Sequence, residues 1–193
     1  MKKQLANLAI RLFQWVRSSF YAALSTGRSN GRVQKRQPVL ILGSGIIEFE
    51  KNITLGYFPS PYFFNGYIHL EARGKDAHIS FGEDTHINNN FVAICEHTTI
   101  TVGKRCLIGT NVEIYDSDFH GIKVSDRSTS NPEKARPVLI GNDVFIGSNV
   151  KIMKGVVIGE GSVIANGSVV AGTIPSHSIA GGNPAIVLRA IER

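Results

Sequence analysis

From residue 140 onward an aliphatic side chain returns at every sixth position, in the hexads IGNDVF, IGSNVK, IMKGVV, IGEGSV, IANGSV and VAGTIP. Ile140, Ile146, Ile152, Ile158, Ile164 and Val170 open the six hexads, and the fifth position is Val144, Val150, Val156, Ser162, Ser168 and Ile174. A helix repeats its apolar stripe every 3.6 residues and a strand every second residue, so a period of six belongs to neither alone. Short repeats of fixed length instead specify a solenoid, and hexapeptides specify a parallel β-helix. Each hexad then forms one flat side of a triangular prism and three hexads form one coil. The opening aliphatic points inward, and the small residue at position two, present in five of the six hexads, is expected to accommodate the turn.

The pattern continues upstream with less regularity. VGKRCL, IGTNVE and IYDSDF make one coil, and FGEDTH, INNNFV and AICEHT another, with a slip of three residues between Ala93 and Val102. Residues 39–80 carry strand-like apolar runs without clean hexads. The 25 residues 115–139 are not a whole number of hexads, so part of them must leave the prism as a loop. At the other end, residues 4–24 have the spacing of an amphipathic helix. Gln4, Asn7, Arg11, Gln14 and Ser18 lie along one seam, with Leu5, Leu8, Leu12, Phe13, Val16 and Phe20 opposite. Such a helix can cap the core, pack on another subunit or lie on a membrane. The expected organisation is a basic amphipathic helix and exposed linker over 1–38, a β-helix over 39–176 with a protruding loop at 115–139, and a C-terminal tail or helix over 177–193. The fold class is all-β.

Charge changes this picture in one respect. The net charge of +6 resides at the N-terminus, because Lys2, Lys3, Arg11, Arg17, Arg28, Arg32, Lys35 and Arg36 precede the first acid, Glu48. The rest carries 13 basic against 15 acidic residues, which disfavours a broad nucleic-acid-binding surface. Gln4, Asn7, Arg11 and Gln14 interrupt any signal-peptide core or membrane span, so a cytoplasmic protein is expected, with possible contact of residues 1–36 at the inner membrane surface. Cys95 and Cys106 lack metal-ligand spacing and read as small buried hydrophobes.

The candidate chemistry sits where the repeat breaks, in IYDSDFHG (residues 114–121). One reading is a solvated polar turn, since Asp and Ser initiate turns. The other is a presented base, since histidine is the side chain type suited to moving a proton at neutral pH: His120 would serve, and Asp116, Asp118 or a backbone carbonyl would fix its tautomer. Gly121 would let the chain bend beside it.

The hexads from Ile140, the His-bearing loop before them and the exit IPSHSIAGGNPAIVLRAI together resemble the hexapeptide-repeat acyltransferase family, in particular its sugar and polysaccharide O-acetyltransferase branch. The resemblance covers roughly residues 77–191. It implies a left-handed β-helix, a homotrimer, and acetyl-CoA as co-substrate in a groove between adjacent prisms, with no metal. It also implies a direct transfer in which His120 is general base, with Asp116 and Asp118 as candidate orienting residues and the Ser148 N–H as the oxyanion donor. Ser148 and Ala165 match its positions for the pantetheine arm, Gly147 and Gly182 allow close approach of the backbone, and Arg189 is either a partner for the nucleotide phosphates or a solvated charge on a C-terminal helix. Ala171 and Gly172 stand where many relatives carry Thr-Lys, so that coenzyme contact is missing here. The basic arm replaces the acidic N-terminal segment of small-sugar enzymes and favours a surface polysaccharide or lipid-linked glycan precursor as acceptor. N-acetylation of an amino sugar and a non-catalytic scaffold are the alternatives; a γ-type carbonic anhydrase would need three zinc-binding histidines at a spacing that His86, His97 and His120 do not match.

Overall fold

A computed structural model describes residues 2–192 as a left-handed parallel β-helix preceded by one helix, α1 (Lys2–Leu24). The first coil is β1 (Arg28–Asn30), β2 (Val33–Lys35) and β3 (Val39–Leu42), and the second is β4 (Ile46–Phe49), β5 (Ile53–Leu55) and β6 (Ile68–Ala72). The third is β7 (His78–Phe81), β8 (His86–Ile87) and β9 (Val92–Cys95). The fourth is β10 (Thr99–Val102), β11 (Leu107–Ile108) and β12 (Glu113–Tyr115). After the long loop come β13 (Val138–Ile140), β14 (Phe145–Ile146) and β15 (Lys151–Ile152), then β16 (Val157–Ile158), β17 (Val163–Ile164) and β18 (Val169–Val170). An antiparallel pair, β19 (Ser178–Gly182) and β20 (Ala185–Ala190), closes the chain. The strands stack into three sheets, β1-β4-β7-β10-β13-β16, β2-β5-β8-β11-β14-β17-β19-β20 and β3-β6-β9-β12-β15-β18.

The hexads dictate this stacking. Ile140 pairs with Ile158, Ile146 with Ile164 and Ile152 with Val170, each one coil above the other. All six opening residues are at most 1% exposed. Burying an Ile or Val side chain contributes roughly 1.5–3 kcal/mol, so the interior ladder supplies most of the driving force. In the lower coils Phe49 stacks on Phe81, with ring centroids 5.4 Å apart, and Phe81 meets Phe91 edge-on. Ser162 and Ser168 replace Val at position five without leaving a polar atom unpaired, because their hydroxyls donate to the carbonyls of Pro175 and Ala165.

The corners correct the expected role of position two. The left-handed conformation falls on position four in all the hexads except AICEHT, IYDSDF and VAGTIP: Asp84, Asn90, Arg105, Asn111, Asp143, Asn149, Gly155, Gly161 and Gly167 all have φ between 55° and 74°. Position two is small for another reason, the closeness of the next coil. A Cβ on Gly159 would lie 2.3 Å from the Ser176 nitrogen. At one corner the left-handed asparagines form a ladder, with the Asn90 amide donating to Asn111 at 2.8 Å and Asn111 to Asn149 at 2.9 Å.

Two further expectations are revised, and one feature is new. Residues 25–38 are not a free linker: β1 and β2 form two sides of the first coil, paired with β4 and β5. The C-terminal segment is a strand, β20, and not a helix. Residues 56–67, unremarked in the sequence, leave the prism between β5 and β6 as an aromatic loop. That loop receives α1, but through the helix's polar seam. Gln14 donates to the Phe63 carbonyl at 2.7 Å, and the Arg17 guanidinium reaches the carbonyls of Phe63 and Gly66. Leu5, Leu8, Leu12, Trp15 and Phe20 face outward, each at least 60% exposed.

Candidate active site

The loop that carries IYDSDFHG leaves the prism after β12 and returns at β13, with two short 3-10 turns, Val124–Asp126 and Pro132–Lys134. Its base is fastened by Asp116, which is fully buried. One carboxylate oxygen accepts from the Glu96 N–H at 2.7 Å, and the other from the N–H groups of His97 and Thr98 and the Thr98 hydroxyl at 2.8–3.0 Å. This explains the three-residue slip noted in the sequence: the extra residues turn their N–H groups toward one carboxylate. Burial by itself would raise the Asp116 carboxyl, but the three N–H groups and the hydroxyl outweigh it and hold the pKa below its ordinary value. The Asp116 carbonyl accepts from the Arg136 N–H at 2.9 Å, joining the two ends of the loop.

Glu96 makes a second fastening. It is 8% exposed, and its carboxylate accepts from Ser117 at 2.9 Å and Ser130 at 2.6 Å, one from each side of the loop, with Arg73 at 3.3 Å. Burial would again raise this carboxyl, and the hydroxyls and Arg73 reverse the shift. Lys154 provides a third, pairing with Asp118 and donating to the Lys134 carbonyl at 3.0 Å.

Phe119 follows in a left-handed conformation (φ 62°), which costs a bulky residue energy and persists only where packing imposes it. Its ring meets Tyr115 edge-on at 5.6 Å and the Arg73 guanidinium at 5.0 Å. Gly121 accepts the next bend because a Cβ there would lie 2.4 Å from that of Asp126. Between these two stands His120, exposed to solvent, with Nδ1 2.8 Å from the Arg127 carbonyl. A carbonyl only accepts, so Nδ1 carries the proton and the Nε2 lone pair is available to take another.

The aspartates named in the sequence therefore do not orient His120 within this chain: Asp116 ties down the loop base and Asp118 pairs with Lys154. The orienting acceptor is a backbone carbonyl.

The residues expected to meet the coenzyme fall on one edge of the prism. Gly147, Ala165 and Gly181 follow the paired residues Ile146, Ile164 and Ala180 on successive rungs, with Ser148 and Gly182 beside them. Arg189 pairs with Ile179 on the outer strand and is exposed. The Ser148 N–H is already engaged, donating to the Asn166 side-chain carbonyl at 2.8 Å, so its expected oxyanion role is not available in this arrangement. Asn166 was missed in the sequence, although it occupies the open corner beside Ala165. A cavity of about 490 Å³ opens on the same sheet further down, lined among others by Arg36, His86, Asn88, Leu107 and Phe145; His120 is not part of it. Cys95 and Cys106 are buried free thiols; burial foremost pushes Cys95 up to about 12. Among the described residues no group of three His, Cys, Asp or Glu side chains is placed to hold a metal ion.

Comparison with known proteins bears on the repeat and the fold. Residues 137–172 match the signature of the bacterial transferase hexapeptide (six repeats), and residues 99–129 that of the hexapeptide repeat of succinyl-transferase. A Dictyostelium discoideum protein named as a candidate acetyltransferase is 32% identical over 167 residues, covering 83% of this chain and 84% of its own. Among solved structures, the polySia-specific acetyltransferase NeuO is 28% identical with a TM-score of 0.65, over 86% of this chain and 73% of that one. A hexapeptide-repeat acetyltransferase of Vibrio cholerae O1 biovar eltor, complexed with acetyl coenzyme A, shares the fold at 24% identity and a TM-score of 0.56, over 97% and 86%. A maltose O-acetyltransferase of Clostridium difficile 630 does so at 24% and 0.54, over 98% and 86%. Sequence identity over most of both chains, the repeat signatures and the stacked prism lead to one conclusion: the chain belongs to the hexapeptide-repeat acyltransferase family, among its acetyltransferases.

Proposed function

We propose that the protein transfers acetyl from acetyl-CoA to a saccharide hydroxyl, with His120 as the general base, in a homotrimer. The observation that supports the reading is the His120–Arg127 hydrogen bond, in which Nδ1–H donates to a carbonyl and the Nε2 lone pair is left to accept a proton in an exposed loop. An alcohol is too weak an acid to attack unassisted, and a positioned imidazole removes its proton as attack proceeds. The acceptor proton passes to Nε2, the new ester bond forms at oxygen, and the imidazolium returns the proton to the departing sulfur. The Arg127 carbonyl holds the ring throughout and stabilises the N–H of the imidazolium.

Acetyl-CoA supplies an acyl group already activated as a thioester. The edge formed by Gly147, Ala165 and Gly182 suits its long arm because these three residues add no bulky side chain of their own beside Asn166, and nothing lies within 4 Å of a Cβ built on the neighbouring Gly167. Arg189 would meet the nucleotide phosphates. The saccharide class is supported by the polysialic-acid and maltose activities named for the neighbours, and the basic N-terminus favours a surface polysaccharide or lipid-linked glycan precursor at the cytoplasmic face of a membrane.

The test is mass spectrometry of a panel of sugars, nucleotide sugars and lipid-linked glycans incubated with acetyl-CoA. An acetyl gain removed by mild alkali identifies an O-ester, whereas an alkali-stable gain identifies an amide and overturns the hydroxyl assignment. His120→Ala is expected to lower kcat by about a hundredfold to ten-thousandfold with acetyl-CoA binding and oligomeric mass unchanged. A variant that transfers at the wild-type rate would remove His120 from the mechanism.

A further inference from the structure

We propose that α1 and the aromatic loop it rests on form a docking face for an anionic lipid surface. The first observation is orientation. A helix in a globular protein ordinarily turns its apolar stripe to the core. Here the helix is fixed by Gln14 and Arg17, whose side chains bond to carbonyls of residues 63 and 66. Gln14 is its only buried residue, while Leu5, Leu8, Leu12, Trp15, Val16 and Phe20 are between 53% and 67% exposed.

The second observation is continuity. Phe13, 46% exposed, meets Phe64 at 6.2 Å, and Phe64 and Phe58 are themselves 47% and 41% exposed. The outward face therefore runs from the helix onto the loop. Isolated exposed leucines are common, but a contiguous apolar face of this length marks an interaction site.

The third observation is charge. Lys2, Lys3 and Arg11 are exposed on the same helix, five more basic side chains follow before residue 37, and the first acid is Glu48. A second copy placed on this face would bring two such cationic segments together with no acid in either. An anionic headgroup layer neutralises them while its acyl boundary receives the leucines and aromatics. No described helix is long and apolar enough to cross a membrane, so this one lies along the surface. Trp15, with an apolar body and a polar N–H, suits the boundary between headgroups and chains.

Trp15 is the single tryptophan of the chain, so its fluorescence reports this face alone. The experiment titrates the full-length protein with vesicles of phosphatidylcholine alone, or with about one third phosphatidylglycerol, at low and high salt, and follows emission and co-sedimentation. The expected result is a shift to shorter wavelength and sedimentation with the anionic vesicles only, weakened by salt. Leu8→Gln/Leu12→Gln is expected to lower the bound fraction about tenfold, with helix content unchanged because neither side chain touches the body. Absence of any shift, or equal binding to neutral vesicles, overturns the proposal. A shift without vesicles that rises with protein concentration and mass assigns the face to a second copy instead. This inference is independent of the transfer reaction: the double variant should still acetylate a soluble acceptor, and His120→Ala should still bind vesicles.

Discussion

Among single residues, Asp116 and His120 divide one task between them. A carboxylate buried with three backbone N–H donors cannot turn to serve an imidazole, because releasing it would leave those donors unpaired. Its work is to hold the loop base so that strain at Phe119 is sustained and His120 is aimed. Asp116→Asn keeps the shape but turns an amide N–H toward backbone donors, and should cost about 1–3 kcal/mol. The pH dependence follows from the depressed carboxyl. Its folded value lies below the unfolded one, so its contribution is complete above about pH 4 and is lost as pH falls through the folded value. Urea unfolding should therefore show a wild-type advantage over Asp116→Asn at pH 7 that shrinks as pH falls below the ordinary carboxylate range; a gap independent of pH would contradict the assignment. The histidine was visible as a candidate in the sequence because it stands where a strict repeat breaks. Its partner was not, since a carbonyl belongs to every residue and only folding selects Arg127. The engagement of the Ser148 N–H by Asn166 was hidden for the same reason: the two are neighbours only across coils.

The coil is the next level, and here position two and position four obey different physics. Gly167 is left-handed (φ 72°) with nothing within 4 Å of an added Cβ, so Gly167→Ala tests backbone strain alone and should cost about 1–2 kcal/mol. Gly167→Asn should cost less than about 0.5 kcal/mol, because Asn tolerates this conformation and Asn149 stands one rung below to extend the ladder. Gly159→Ala, without a left-handed φ, pushes a methyl into the Ser176 backbone and should cost about 3 kcal/mol. Denaturant midpoints in the order Asn, Ala at 167, then Ala at 159 would support the distinction, and a reversed order would refute it. The hexads made the upper coils readable from spacing alone. The first coil was not, because RSNGRVQK offers one aliphatic, Val33, and its strands are held by backbone pairing to β4 and β5. The helix was readable as amphipathic, but periodicity gives a stripe and not the side it faces. That is decided by carbonyls of a loop, one of them 49 residues downstream of Gln14.

The whole molecule is a stiff prism whose outer faces are not uniformly polar. Leu107 and Phe145 sit on adjacent rungs of one sheet, 51% and 46% exposed, and Leu139 and Val157 on adjacent rungs of another, 47% and 39% exposed. The edge of Gly147 and Ala165 borders the first of these sheets, so a neighbour covering Leu107 and Phe145 would wall the same groove. His120 stands exposed on its loop with no second wall from its own chain among the described residues. The proposed homotrimer would answer both facts at once: it would bury the apolar rungs and complete the groove opposite a histidine from the neighbouring subunit. Phe145→Glu should then lower the mass from trimer to monomer and abolish acetyl-CoA binding together with transfer. The prism itself should persist, since Phe145 points outward and the ladder from Ile140 to Val170 is untouched. His120→Ala predicts the opposite pattern, an intact trimer that binds acetyl-CoA and does not transfer. Light scattering and calorimetry on the two variants separate assembly from chemistry, and a Phe145→Glu monomer that still transferred acetyl would place the complete site within one chain.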